Sequence, residues 1–272
     1  MLRLTRRLQK RCRPDLEHAS NPARAIVLNS LRILRALWRV SACVFYTLQG
    51  ALICGAVFPF RSKAQRMHTV GQWSRRMLRG LGLTLTTSGA ANSSATLFVA
   101  NHVSWLDILA VDSVQPARFV SKADVRQWPL LGWLVACGGT LFIERERKRD
   151  ALRVVHLVAE ALKDGELVAV FPEGTTSTGH ALLPFHANLL QAAISSQAPV
   201  QPIALRYSDD HHAFSEAVAF VGDTTIMQSL WWVVMADNLR VHVNLLPPVA
   251  SAGLDRRALS DQLHLSIQTA LV

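Results

Sequence analysis

The run of uncharged residues from 40 to 60, VSACVFYTLQGALICGAVFPF, limits what this chain can fold into more than any other feature. It is long enough to cross the hydrocarbon core of a bilayer or to lie embedded in one leaflet. Arginine and lysine flank it on both sides, so positive charge gives no direction for a crossing. The spanning and the embedded arrangement both stay open.

Positive charge is concentrated in the N-terminal part of the chain. The first 106 residues carry 16 of the 29 Lys/Arg but only two of the 19 acidic residues, which indicates an anionic partner at this end. In residues 23–39, helical spacing places Arg32, Arg35 and Arg39 on one face, beside apolar side chains and without matching acids. Next to an uncharged run, this pattern predicts a membrane with anionic lipids as the partner, and no nucleic acid.

Cysteine and histidine spacing predicts no metal site. The four cysteines are scattered and form no CxxC pair, so we expect neither a zinc site nor a disulfide framework. Such cysteines are typical of small apolar side chains in a reducing compartment. The expected location is the cytoplasmic face of the inner membrane.

Short apolar runs that alternate with helical patterns predict an α/β layer structure. Residues 150–163 repeat apolar side chains at spacings of three and four, which is typical of an amphipathic helix. The predicted strands are residues 95–100, 139–143, 167–171, 200–207 and 241–246, and a last helix is predicted from about residue 255. We divide the chain into a membrane-associating N-terminal region, residues 1–75, and a folded domain, residues 76–272.

The stretch FVANHVSWLDIL, residues 98–109, places a carboxylate five residues after a histidine. One interpretation is structural: Ser104 and Asp107 fit an S-x-x-D helix cap, and His102 is an ordinary loop residue. The other is chemical: with His102 in the loop and Asp107 one turn inside the helix, the carboxylate reaches the imidazole and fixes its tautomer. A histidine held in this way can act as a general base on a bound hydroxyl.

Polar side chains follow three of the predicted strands, and ligands in such folds bind at the carboxyl ends of strands. His102 follows one strand, Arg145 another, and Glu173, Gly174 and Thr175 the third. A turn at these last three residues offers N–H groups and hydroxyls to an anionic ligand. Arg145 is a candidate phosphate ligand, although it belongs to a charge run that is typical of solvated surface. A second candidate phosphate ligand is Lys122.

The segment from His102 to Asp107 resembles the HX4D motif of the glycerolipid acyltransferases, which include the 1-acylglycerol-3-phosphate acyltransferases. Three further blocks resemble that family's motifs in order: GTLFIER ending at Arg145, FPEGT at residues 171–175, and VQPIA at residues 200–204. The resemblance implies a mixed sheet flanked by helices. It also implies transfer of a fatty acyl group from acyl-CoA or acyl carrier protein to a lysophospholipid hydroxyl, with no other cofactor. His102 is then the general base, Asp107 orients it, and Arg145 binds the acceptor phosphate.

The chain departs from the family pattern at Thr176, where lysophosphatidate enzymes have arginine. Threonine lacks the charged, bidentate grip of arginine on phosphate. Because Arg145 and Lys122 are present, lysophosphatidate is the first expected acceptor and lyso-ornithine lipid, whose head group has no phosphate, is the alternative. A non-catalytic membrane-binding module would need no His–Asp pair. A lipid hydrolase would need a nucleophile, and no G-x-S-x-G motif occurs.

Overall fold

The computed structural model describes residues 22–143 and 148–272. In these ranges the strands are β1 (Thr84–Ser88), β2 (Thr96–Ala100), β3 (Arg118–Lys122), β4 (Leu141–Ile143), β5 (Leu167–Val170), β6 (Val200–Ser208) and β7 (Arg240–Leu245). The α-helices are α1 (Pro22–Leu52), α2 (Lys63–Gly80), α3 (Leu106–Val114), α4 (Leu131–Cys137), α5 (Lys148–Lys163), α6 (Leu190–Ser196), α7 (Ile226–Met235) and α8 (Arg256–Leu271). A π-helical turn and a 3-10 turn continue α1 as far as Phe60.

The seven strands form one mixed sheet in the order β1–β7–β6–β2–β5–β3–β4. Every neighbouring pair is parallel except β6 and β7, which are antiparallel. The carboxyl ends of β2 to β6 therefore lie at one edge of the sheet, where ligands bind in folds of this type. The predicted α/β fold with a mixed sheet is confirmed, and the five predicted strands correspond to β2, β4, β5, β6 and β7.

Each face of the sheet carries its own apolar core. β2 is buried along its whole length, and its side chains alternate between the two cores. Phe98 joins the core under α1, α2, α3 and α7, whereas Leu97 and Val99 join the core under α5, α6 and α8. A strand that is buried on both faces is a continuous apolar run in sequence, which is why residues 95–100 predicted a strand.

The inner face of α1 packs against the folded domain. Arg39 donates through Nη1 to two backbone carbonyls at the C-terminal end of α7, at 2.9 and 2.8 Å. Arg32 and Arg35 pair with the carboxylate of Asp237, at 3.1 and 2.5 Å. The expectation that these arginines lack matching acids is wrong for Arg32 and Arg35, because Asp237 lies about 200 residues further along the chain, where no local pattern reveals it.

The outer face of α1 is an apolar stripe. Its large side chains, each more than half exposed, lie three, four or seven residues apart: Val27, Leu31, Leu34, Trp38, Phe45, Leu48 and Leu52. Within the described ranges, Val27–Phe60 is the one helical stretch long and apolar enough to cross a membrane, with a mean hydropathy of 1.7. This stretch contains the uncharged run that the sequence singled out.

The connection between α1 and the sheet domain is α2. Ser62 caps it, since its hydroxyl accepts from Gln65 N while the Gln65 side chain accepts from Ser62 N. Trp73 in α2 donates through Nε1 to the carbonyl of Tyr46 in α1 at 2.8 Å. The division predicted after residue 75 falls inside α2, so this helix belongs to both predicted parts.

Candidate active site

Strand β2 delivers His102 to the carboxyl edge of the sheet. Asn101 follows the strand, and its side-chain amide accepts from Leu205 N at 2.7 Å and donates to Leu205 O at 2.9 Å. This contact continues the pairing of β2 with β6 through one side chain, so it fixes the direction of the chain just before His102. A short loop follows, and α3 begins at Leu106.

The carboxylate of Asp107 is fully buried and accepts four hydrogen bonds. Oδ2 accepts from His102 Nδ1 at 2.7 Å, from Val103 N at 2.7 Å and from Ser104 N at 2.9 Å. Oδ1 accepts from the hydroxyl of Tyr207 at 2.7 Å. Such donors offset the cost of burying a charged group. Among the described residues the Ser104 hydroxyl has no hydrogen-bond partner, and no side chain caps α3, so the expected S-x-x-D cap is wrong. The Asp107 carboxylate instead binds the N–H groups of the loop before α3 and the imidazole of His102.

The imidazole of His102 is held on two sides. Its Nδ1 carries the proton donated to Asp107, and its ring stacks on Phe171 with centroids 4.0 Å apart and planes 8° apart. Its side chain stays 20% exposed, and within the described part of the chain Nε2 makes no hydrogen bond. A neutral imidazole with Nδ1 on a carboxylate and Nε2 available is the arrangement of a general base.

Glu173 lies beneath the loop that carries His102. Its side chain is buried, with Oε1 accepting from His102 N at 2.6 Å and Oε2 accepting from Leu183 N at 3.0 Å. Burial raises the pKa of this carboxyl, and the two backbone hydrogen bonds oppose the rise. The next residue, Gly174, adopts a left-handed conformation with φ +72°, and Thr175 is exposed. Glu173 thus fixes the His102 backbone, while the turn after it reaches the surface.

Three further residues bear on phosphate binding. Lys122 ends β3 and is exposed at the carboxyl edge, two strands away from β2. Arg145 lies outside the described residues. Thr176, at the position of the family arginine, is half-buried and donates its hydroxyl to the carbonyl of Phe220. The substrate-binding roles predicted from the sequence stay predictions.

The hydroxyl of Ser104 is unsuited to act as a nucleophile. It is fully buried and has no hydrogen-bond partner among the described residues, so a substrate cannot reach it. This placement disfavours the lipid hydrolase. In the same ranges no group of three His, Cys, Asp or Glu side chains is placed to hold a metal ion.

Tyr207 is the site residue that sequence reasoning missed. It lies near the end of β6, which runs parallel to β2, so its hydroxyl reaches the same edge of the sheet. The available signal was a tyrosine at the end of a predicted buried strand, in a chain with only two tyrosines. Its partner, 100 residues earlier, leaves no pattern in the sequence.

Comparison with known proteins gives one consistent result. Residues 83–206 match the Acyltransferase family. The chain is 35% identical to lyso-ornithine lipid O-acyltransferase of Pseudomonas aeruginosa, over 90% of this chain and 93% of that protein. It is 33% identical to 1-acyl-sn-glycerol-3-phosphate acyltransferase of Neisseria gonorrhoeae, over 88% of this chain and 92% of that protein.

A solved structure has the same fold. The 1-acyl-sn-glycerophosphate (LPA) acyltransferase PlsC of Thermotoga maritima superimposes with a TM-score of 0.70 at 19% identity, over 89% of this chain and 95% of that one. The mixed sheet with its N-terminal apolar helix is therefore the fold of that acyltransferase. The chain belongs to the acyltransferase family and is an acyltransferase of the lysophospholipid type.

Proposed function

We propose that this protein transfers a fatty acyl group from acyl-CoA or acyl carrier protein to the hydroxyl of 1-acyl-sn-glycerol-3-phosphate, giving phosphatidic acid. The observation that carries the proposal is the 2.7 Å contact between His102 Nδ1 and Asp107 Oδ2 at the carboxyl edge of the sheet. This contact leaves Nε2 of a partly exposed imidazole to act as a base. No further cofactor enters the reaction.

The acceptor hydroxyl gives its proton to His102 Nε2 as its oxygen attacks the carbonyl carbon of the thioester. Asp107 stabilises the imidazolium that forms, and the four hydrogen bonds to its carboxylate hold it in place. The tetrahedral intermediate collapses by breaking the C–S bond, and the thiolate takes the proton back from His102. No acyl-enzyme forms, in agreement with the burial of the Ser104 hydroxyl.

Two groups of residues bind the anionic parts of the substrates. Lys122, exposed at the carboxyl edge, and Arg145 bind the acceptor phosphate. At the turn of Gly174 and Thr175, the Gly174 N–H is donated to the Phe171 carbonyl at 3.1 Å, and the Thr175 N–H is the group supplied to the oxyanion of the intermediate. The left-handed conformation of Gly174 and the exposure of Thr175 support this assignment.

The membrane meets the protein along the outer stripe of α1. The inner face of that helix hydrogen-bonds to α2 and to the C-terminal end of α7, so crossing a bilayer alone would separate it from both. An embedded position in one leaflet, on the cytoplasmic face of the inner membrane, keeps these contacts and buries the apolar stripe. Acceptor and product are lipids, and α1 holds the enzyme where they are.

The first test is an acyl-transfer assay on the purified full chain in detergent, with labelled acyl-CoA or acyl carrier protein and lysophosphatidate. We expect His102→Ala to lower kcat by at least a hundredfold, because it removes the base. His211→Ala, which changes an exposed histidine beyond β6, is the matched control and should keep full activity. Full activity in a folded His102→Ala protein would reject the mechanism.

A second acceptor is favoured by Thr176. The residue in place of the family arginine has no charge, and its hydroxyl is engaged by Phe220, so it offers no grip on a phosphate. Lyso-ornithine lipid needs no such grip and is offered in a parallel arm of the assay. Transfer to this lipid alone would replace lysophosphatidate as the acceptor. Transfer to neither, under conditions in which a relative is active, would favour a non-catalytic membrane-binding module.

A further inference from the structure

An amphipathic cavity lies at the edge of the sheet opposite to the His102 site. It has a volume of about 360 Å³ and lies between residues 54–67, the N-terminal end of β3 and the C-terminal end of α4. Arg118 begins β3 on the cavity side, and Lys122 ends the same strand at the carboxyl edge. Four residues of extended strand separate these ends by about 13 Å. The cavity is thus separate from the acyl-transfer site.

One wall of the cavity carries three cations: Lys63, Arg66 and Arg118. Glu166 contacts Lys63 and accepts from Arg118 Nη1 at 2.7 Å, so one carboxylate serves two of the cations. Burial and the charge of Arg118 lower the pKa of Lys63, while the charge of Asp164 opposes them. Arg66 donates through Nε to a backbone carbonyl at 3.0 Å and pairs with no carboxylate among the described residues. Positive charge therefore exceeds negative charge at this wall.

The other wall is apolar and adjoins the end of α1. Phe58, Met67 and Ala136 line it, and Phe60, just beyond, is 86% exposed. The candidate membrane stretch ends at this phenylalanine and is followed by Arg61. With the stripe of α1 in the membrane, the cavity lies at the depth of the lipid head groups.

The geometry points to a binding site for one anionic phospholipid, with its phosphate on Lys63, Arg66 and Arg118 and its first chain carbons against Phe58, Met67 and Ala136. Guanidinium groups suit phosphate oxygens, and the volume suits a head group with the start of a chain. The inference rests on the membrane contact of α1 included in the proposed function, and it is independent of acyl transfer.

The test measures binding of phosphatidylglycerol with a fluorescent tail to the full chain in neutral detergent micelles, with phosphatidylcholine of the same chains for comparison. Arg66→Gln should weaken phosphatidylglycerol binding about tenfold, because a charged hydrogen-bond donor is lost. Arg76→Gln removes the same charge from another face of α2 and should change phosphatidylglycerol binding less than twofold. Ala136→Phe fills the cavity without altering charge and should weaken binding at least as much as Arg66→Gln.

Two controls separate the alternatives. If Arg66→Gln and Arg76→Gln weakened phosphatidylglycerol binding equally, or if a folded Ala136→Phe protein bound it as the parent does, the proposed site would be wrong. General positive charge on the surface would then explain the binding. Glycerol phosphate and inorganic phosphate are added as competitors. Binding of these soluble anions without binding of the lipid would overturn the lipid as the ligand. Acyl transfer is measured on the same preparations, so loss of lipid binding with intact transfer, or the reverse, distinguishes this inference from the proposed function.

Discussion

Tyr207 donates its hydroxyl hydrogen to Asp107 Oδ1 at 2.7 Å, on the side of the carboxylate away from His102. Both side chains are buried. Burial, the charge of Asp107 and the hydrogen bond together raise the pKa of Tyr207 well above its ordinary value, so the hydroxyl keeps its proton. The hydrogen bond from Tyr207 to Asp107 therefore persists while His102 gains and loses a proton.

The Tyr207→Phe variant removes this donor and leaves one oxygen of a buried carboxylate unpaired. We expect kcat to fall about tenfold with little change in KM, and the free energy of unfolding to fall by about 1–3 kcal/mol. Tyr46→Phe, at the only other tyrosine of the chain, is the matched control and should change neither value. An unchanged kcat in Tyr207→Phe would mean that this hydrogen bond contributes to folding alone.

Asp107 and Asp112 are buried aspartates in the same helix, so the same substitution at both separates chemistry from burial. In Asp107→Asn the amide group cannot accept all four hydrogen bonds and carries no charge to stabilise the imidazolium. We expect kcat to fall about a thousandfold or more. Asp112→Asn should retain activity in the same assay. Similar losses in both variants would assign the effect of Asp107→Asn to the fold of α3.

Glu173 tests how closely the backbone of His102 must be held. The amide nitrogen in Glu173→Gln would face a backbone N–H, from either His102 or Leu183, in place of an acceptor. We expect a loss of about 1–3 kcal/mol in the free energy of unfolding and a lower kcat. Glu160→Gln on the exposed side of α5 is the control for the change of charge. A Glu173→Gln protein with the stability and kcat of that control would show that either side chain holds the loop.

The parts of the fold that sequence predicted are those whose pattern is local. The five predicted strands are apolar runs, and the helix from Lys148 to Lys163 repeats at three and four residues. β1 was missed because Thr84–Ser88 is polar and half exposed, as suits an edge strand. β3 was missed because Arg118–Lys122 begins and ends with a cation and resembles a surface loop.

In the site, the contact between His102 and Asp107 was predictable because the two residues are five positions apart and bracket the start of a helix. The contacts of Tyr207 with Asp107 and of Glu173 with the His102 backbone were not predictable, because they join segments that lie 100 and 71 residues apart in the chain. The order of the strands in the sheet determines which distant residues come into contact, and no local pattern in a single sequence indicates that order.

The outer stripe of α1 should be required for binding to the membrane. Replacing Leu34 and Trp38 together by glutamate puts two charges where we place the acyl chains, and should weaken binding to phospholipid vesicles at least tenfold. Flotation of the protein with vesicles measures this. Leu265→Glu, at an exposed leucine on α8 across the sheet, should leave flotation unchanged. Equal flotation of all three proteins would place the membrane contact elsewhere on the molecule.

The buried carboxyl of Asp112 should make the stability of the protein depend on pH. Burial raises the pKa of this carboxyl from 3.8 to about 8, against one backbone hydrogen bond from Ala117 N at 3.1 Å. Between these two pH values the native state holds a proton that the unfolded chain has released. The contribution of Asp112 to stability is therefore complete below pH 3.8, falls as pH rises through this window, and levels off above pH 8.

The Asp112→Asn variant keeps the acceptor for Ala117 and cannot ionise, so it should lack this slope. We expect it to be more stable than the parent protein at pH 8, by about 1–3 kcal/mol, with a smaller advantage at pH 5. Thermal unfolding in detergent at pH 5 and at pH 8 measures the difference in stability between the variant and the parent protein. Groups that titrate in the same way in both proteins do not contribute to this difference. If the free energies of unfolding of the two proteins changed with pH in the same way, the prediction would be wrong. Asp112 would then be ionised in the folded state, with water or a cation in contact with its buried side chain.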